Sequence, residues 1–229
     1  MAPKGYTIDI EKKKCVTPVC RGSYVNILAP RPKPDQPDKL AWGLQCLFPK
    51  TDPAVIAWKA DLSKIYAKVL VDKFGQEKAA KMAARMRLPI RDGDDPKEEE
   101  KALQGFWFMN ANNNFRQPYV IGVTGKPVDP KILTPDDIYS GAWYRVMLEF
   151  WHYNTAGNEG ISCSVAAVMK VRDDESLGGG TTQSEASNAF GDYTSEIASA
   201  FSDGGSAGET SAKGKGADAG DNKAGFEFM

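Results

Sequence analysis

A sharp change in composition and charge near residue 172 is the feature that most constrains what this 229-residue chain can fold into. Residues 1–172 contain 26 Lys and Arg against 19 Asp and Glu, whereas residues 173–229 contain 3 against 11. All five Trp, all 14 Pro and all four Cys lie before residue 173. A segment poor in apolar residues cannot bury enough surface to offset its ordering entropy. We therefore predict a folded basic domain at 1–172 and a disordered acidic tail at 173–229.

β-strand patterns dominate the basic domain. β-branched and aromatic residues are dense in six segments, at 21–28, 40–48, 105–111, 119–123, 143–153 and 161–171. Between the second and third of these, Asp52-Pro53 has the form of a helix start, and apolar residues then recur at helical spacing. Because strands predominate without alternating with helices, we predict a mainly β protein. Its core would be an OB-fold-like antiparallel barrel with a helical insertion at about 52–88.

The second half of this insertion is basic, and an acidic stretch follows it. Residues 76–87 are predicted to form a second helix, in which four basic residues lie among Ala and Met: Lys78, Lys81, Arg85 and Arg87. Residues 92–100 are rich in Asp and Glu and are typical of a solvated acidic loop.

Several kinds of chemistry are disfavoured by the residues present. The chain has one His, His152, and its four Cys form no C-x-x-C pair, so we expect buried reduced thiols and no metal site or other cofactor. It contains no apolar run of the roughly 18 residues typical of a membrane span. Its first residues lack the apolar core of a secretion signal. We expect no membrane association and a cytoplasmic location.

The pattern that indicates a function is the interleaving of aromatic and basic residues on predicted strands. Single-stranded nucleic acid is held by base stacking on exposed rings and by cations that follow the phosphates. In strand 143–153, alternation places Tyr144, Val146, Leu148 and Phe150 on one face, which we assign to the core. Arg145, Trp151 and Tyr153 share the other face. The candidate DNA-binding residues are Tyr24, Trp42, Lys50, Trp107, Arg116, Tyr119, Arg145, Trp151, Tyr153 and Lys170.

A series of short motifs gives the chain a family resemblance. The series comprises Leu88–Asp94, Phe108–Ala111, Arg116–Pro118, Tyr139–Gly141, Tyr153-Asn154, Ala156–Asn158, Gly160–Ser162 and Val168–Asp173. In this order the motifs resemble those of a family of bacteriophage single-stranded DNA-binding proteins with an OB fold, over about residues 5–180. The resemblance implies sequence-independent binding of single-stranded DNA during phage replication and recombination. It also implies a binding protein rather than an enzyme, acting in the host cytoplasm.

The acidic tail suggests a regulatory role. A negative segment tethered to a basic domain is at high effective concentration, and should screen the binding surface at low salt. The chain resembles phage replication proteins whose acidic tail ends in an aromatic residue and recruits a DNA polymerase or helicase. Phe226 and Phe228 would be the docking residues here. This tail departs from that pattern because Gly, Ala and three Lys dilute its charge, and because it ends in Met229.

Other functions remain open at this stage. An RNA-binding or strand-annealing protein would use the same rings and cations, since stacking does not distinguish the sugars. A metal-dependent nuclease could use the carboxylates of 92–100. A structural phage protein without a nucleic-acid role is disfavoured by the basic domain. The sequence also leaves open a homodimer.

Overall fold

The computed structural model describes residues 5–33, 36–98, 100–155, 157–178, 183–190 and 194. The chain divides at residue 182 into two units, and each is described by itself. Phe226, Phe228 and the rest of residues 195–229 lie outside the described residues. No helix in the described ranges is long and apolar enough to span a membrane.

The first unit is mainly β with a helical insertion, which confirms the predicted fold class. Two helices lie between the fourth and fifth strands, within the predicted range 52–88: α1 (Pro53–Phe74) and α2 (Gln76–Ala83). The strands are β1 (Thr7–Asp9), β2 (Lys14–Val16), β3 (Cys20–Lys33), β4 (Gln36–Pro49), β5 (Ile90–Asp92), β6 (Phe106–Asn113), β7 (Tyr119–Ile121), β8 (Pro127–Val128), β9 (Trp143–Thr155) and β10 (Asn158–Arg172).

The strands form one curled sheet in the order β5-β6-β4-β3-β9-β10-β7-β8, and β1 and β2 add to it beside β9. The pairings of consecutive strands in this order are antiparallel, apart from the parallel pairing of β7 with β10. Strands β6 and β10 also meet, through side chains. Asn113 Nδ2 donates to Val165 O at 3.0 Å, and Cys163 Sγ donates to Asn110 O at 3.5 Å. The curl thus gives the OB-like shape. Side-chain hydrogen bonds join β6 and β10, where a closed barrel would have backbone hydrogen bonds.

Helix α1 closes the core. The Asp52 carboxylate accepts a hydrogen bond from Ala54 N at 2.8 Å and caps the helix, as predicted from the Asp-Pro pair. Trp58 is fully buried and stacks against Phe48 of β4, with ring centroids 4.5 Å apart. Strand β9 also packs against α1, where the Tyr66 and Phe150 rings meet edge to face. Its buried face is the one that the sequence alone assigns to the core, namely Tyr144, Val146, Leu148 and Phe150. The insertion is therefore part of the folded core.

The contacts of the first unit continue past the predicted boundary at 172. Tyr139 Oη donates to Asp173 at 2.9 Å, and Trp143 Nε1 donates to Asp174 at 2.6 Å. Leu177 N donates to Ser140 O at 2.9 Å. Residues 173–178, which the composition assigned to the tail, thus belong to the first unit.

The second unit contributes one described helix, α3 (Gln183–Phe190). It falls inside the segment that the composition predicts to be disordered. Ala and Glu within the segment favour a short helix.

Candidate nucleic-acid interface

Three adjoining clefts form a continuous groove on the first unit. Their volumes are about 680, 400 and 370 Å³. The first and second share Asn110, the second and third share Asn112, and the first and third share Trp151. We call this surface the groove. Its aromatic and basic lining residues are Tyr24, Arg31, Lys33, Arg87, Arg91, Phe115, Arg116, Trp151 and Tyr153.

Strand alternation places the central residues of the groove. On β9, Trp151 and Tyr153 face away from the core, and the Trp151 side chain is 42% exposed. On β6, Asn110 and Asn112 are exposed while their neighbours Ala111 and Asn113 are buried. The floor is therefore built from the outer faces of two strands that are brought together when the sheet curls.

The turn after β6 projects an aromatic ring. Asn113 Oδ1 accepts hydrogen bonds from the backbone N–H groups of Phe115, at 3.1 Å, and Arg116, at 3.2 Å. This Asx-type turn leaves Phe115 94% exposed. The Arg116 guanidinium lies 5.4 Å from the centre of the Tyr119 ring. The turn thus offers a free ring beside a cation that is itself held against a second ring.

Tyr24 projects from β3 into the second cleft of the groove. Its φ of 48° is in the left-handed region, unusual for a residue with a side chain, and the ring is 59% exposed. Its hydroxyl donates to Glu100 at 3.3 Å, and the negative charge of Glu100 raises the pKa of Tyr24. The backbone at Tyr24 therefore turns a large ring towards solvent, where it can stack on a base.

The cations of the groove are mostly unneutralised. Within the described ranges, no carboxylate lies within ion-pair distance of Arg31, Lys33, Arg87 or Arg116, whereas Arg91 pairs with Glu98 at 3.2 Å. The groove thus combines rings that can stack on bases with cations that can contact phosphates. This is the arrangement found in proteins that hold single strands without reading their sequence.

Four of the ten predicted site residues line the groove, and a fifth lies beside it. Tyr24, Arg116, Trp151 and Tyr153 are lining residues, and Tyr119 is exposed next to Arg116.

Two predicted aromatic residues lie elsewhere. Trp107 is half-buried against the core, with Lys59 Nζ 4.5 Å from its ring centre. Trp42 is half-buried, and its indole nitrogen is buried. Neither ring lines the groove, so we leave both out of the proposed site.

Three predicted cations are engaged by other groups. Lys50 forms ion pairs with Asp92 and Asp94, the latter at 2.6 Å. Arg145 donates from Nη2 to the Gly5 carbonyl. Lys170 pairs with Asp173 at 2.8 Å and lies 5.4 Å from the centre of the Tyr139 ring. These side chains support the fold away from the groove, and we leave them out of the proposed site.

Sequence reasoning missed several lining residues. Phe115 is absent from the predicted site, although its place next to the predicted cation Arg116 was a usable signal. Arg91 lies in the family motif Leu88–Asp94, and Arg87 immediately precedes that motif. Asn110 lies in the family motif Phe108–Ala111. Arg31, Lys33 and Asn112 were also missed, and no local pattern marks them.

The acidic loop is organised by Lys50. Its ammonium group holds the pKa values of Asp92 and Asp94 below their usual range, and Asp94 Oδ1 also accepts from Gly105 N at 2.7 Å. In the part of the chain that the structure describes, no three His, Cys, Asp or Glu side chains are grouped to hold a metal ion. The nuclease hypothesis therefore gains no support from this loop.

The four cysteines are free and buried, as predicted. Burial raises the pKa of the Cys15 thiol to about 12, and it also raises the pKa of Cys163. Since the thiolate is the reactive form, we expect no reaction of the folded protein with a disulfide reagent at about pH 8. In denaturant, all four thiols should react. Rapid reaction of any thiol in the folded protein would contradict this placement.

Comparison with known proteins decides the family. The model of the family described as "Enterobacter phage Enc34, ssDNA-binding protein" matches residues 13–199. This chain belongs to that family. The family resemblance given by the short motifs is thus confirmed, and the match includes every residue that lines the groove.

Solved structures agree with this fold. The single-stranded DNA-binding protein from bacteriophage Enc34 in complex with ssDNA has a TM-score of 0.63 at 21% identity, over 78% of this chain and 96% of that one. Another structure of the Enc34 protein gives 0.59 at 22% identity, over 83% and 97%. At these identities the match establishes a shared fold. No match is found among curated proteins.

Proposed function

We propose that this protein binds single-stranded DNA without sequence preference during phage replication and recombination, and that the groove is its binding surface. The observation that carries the proposal is that exposed rings and unneutralised cations line the same groove. Membership of a phage single-stranded DNA-binding family supports it, as does the fold shared with a relative solved in complex with ssDNA.

Each type of lining residue has a distinct role. Trp151, Tyr153, Phe115 and Tyr24 stack on bases, at about 1–3 kcal/mol per base. Arg31, Lys33, Arg87 and Arg116 neutralise phosphates. Asn110 and Asn112 on the floor offer amide groups to base edges or phosphates. The groove holds and protects the strand without catalysis, in the cytoplasm of the infected cell.

Titration of intrinsic Trp fluorescence with oligo(dT) tests this function, since Trp151 lies in the groove. We expect quenching by oligo(dT) but not by a duplex of equal length, and a fall in affinity as salt rises. Absence of both quenching and retention of single strands at low salt would overturn the proposal.

An oligo(rU) titration tests the RNA-binding alternative, and shortening of labelled strands in magnesium would point to a nuclease.

We propose that the acidic tail regulates access to the groove. Deleting residues 180–229 removes most of the tail's negative charge, so affinity for oligo(dT) should rise several-fold at low salt, and the gain should shrink as salt screens the charges. The matched control replaces Phe226 and Phe228 with Ala, which keeps every charge and should leave DNA affinity unchanged. If the two Phe recruit a polymerase or helicase, this control variant should lose binding to that partner and keep its affinity for DNA. Unchanged affinity after the deletion would refute the screening role.

A further inference from the structure

One face of the helical insertion carries cations that the groove does not use. Lys78, Lys81 and Arg85 are spaced by three and four residues, so they share one side of α2 and of the turn that follows it. Ala79 and Met86 are buried on the side that packs against the core. All three basic side chains are exposed.

The end of this cationic row is fixed to the groove. The backbone of Arg87 bonds to β10, where its carbonyl accepts from Ile161 N at 2.8 Å and its N–H donates to Glu159 O at 3.3 Å. Gly160 permits this approach, because a β-carbon there would lie 2.5 Å from the Arg87 carbonyl oxygen. Gly160 is also the register partner of Tyr153. Arg87, which lines the groove, therefore lies two residues after Arg85, the last cation of the row.

Within the described ranges, two of the four lysines of α1 are held in ion pairs, whereas the three cations of α2 and its following turn are not. On α1, Lys64 pairs with Asp61 at 2.8 Å and Lys68 pairs with Glu11 and Asp72, at 3.0 and 3.2 Å. Among the residues that the structure describes, no carboxylate lies within ion-pair distance of the α2 cations. Glu77 is the one acidic residue of α2, and the three cations outnumber it. A surplus of positive charge creates a positive potential that attracts a polyanion.

We propose that Lys78, Lys81 and Arg85 form a phosphate track that extends the groove, so that a long single strand leaves the stacking residues near Tyr153 and runs along α2. The track makes no use of bases, because this face offers cations without exposed rings. It lengthens the strand that one protein covers and adds to the salt dependence of binding. The inference rests on the proposed function and names a second part of the same binding surface.

The test compares two double variants of the full chain. Lys78→Gln/Lys81→Gln removes two charges from the track, and Lys126→Gln/Lys131→Gln removes two from exposed positions near β8, outside the groove. Affinity is measured for oligo(dT) of increasing length at several salt concentrations. We expect the track variant to match the wild type on the shortest strands that bind and to be several-fold weaker on long ones. Its salt slope on long strands should be less steep by about 1.4, at about 0.7 per lost phosphate contact. The control variant should match the wild type throughout.

The outcomes separate the track from the groove. If the wild type fails to bind oligo(dT), the proposed function itself fails. If the wild type binds but the track and control variants behave alike at every length, the groove stands and the track is refuted. An equal loss on short and long strands would indicate a general charge effect and would also refute it. If the α2 lysines instead hold the acidic tail, the track variant would bind more tightly, which again overturns the proposal.

Discussion

Replacing Trp151 with Ala should weaken oligo(dT) binding by about 1–3 kcal/mol, the contribution of one base stacked on one ring. That corresponds to a loss of roughly tenfold in affinity for each 1.4 kcal/mol. Trp151 borders two of the three clefts, and it is the exposed Trp of the groove. Because its neighbours Leu148 and Phe150 supply the core contacts of β9, the fold should survive the substitution.

Two variants make this result specific. Trp151→Phe keeps a flat ring and should recover most of the lost affinity. Trp107→Phe alters a half-buried ring outside the groove and should leave affinity unchanged. The measurement is a titration followed by anisotropy of a labelled oligonucleotide, since removal of Trp151 also changes the intrinsic signal. Wild-type affinity in Trp151→Ala would mean that bases do not stack at this position.

Trp58→Ala should lower the free energy of unfolding by about 3–5 kcal/mol, as expected for a large aromatic residue removed from a core. Trp58 is fully buried, stacks on Phe48, and belongs to α1 rather than to the sheet. Its removal leaves a cavity between the helix and β4. The loss is large because the insertion fills the core of a sheet that is otherwise open on that side.

The matched control lies two residues away on the same helix. Ile56 is 50% exposed, so Ile56→Ala should change the free energy of unfolding by no more than about 0.5 kcal/mol. Both variants are compared by denaturant unfolding. A similar small effect for Trp58→Ala and Ile56→Ala would show that α1 can separate from the sheet, against the packing described above.

The fold was predictable wherever the signal is local. Alternation along β9 correctly separated the buried Tyr144 and Phe150 from the outward Trp151 and Tyr153, because a strand between core and solvent has a period of two. The Asp52-Pro53 pair marked the start of α1, because a cap acts on residues next to it in sequence.

The site was predictable only in part, because its remaining determinants are long-range. The local sequence marks Lys50 as a phosphate-binding candidate, but Asp92 and Asp94, more than 40 residues away, pair with it in the fold. Conversely, Arg31 of β3 and Asn112 of β6 become neighbours only when both strands flank β4. Whether a cation is free or paired depends on such contacts, which the local sequence does not encode.

The most direct test of the groove as the binding surface is photo-crosslinking of oligo(dT) to the full chain, followed by mapping of the crosslinked peptides. We predict crosslinks in peptides that contain Trp151 and Tyr153, Phe115, and Tyr24, all competed by unlabelled oligo(dT). Crosslinks confined to residues outside the groove, such as Trp107 or the Tyr139–Trp143 region, would contradict the assignment.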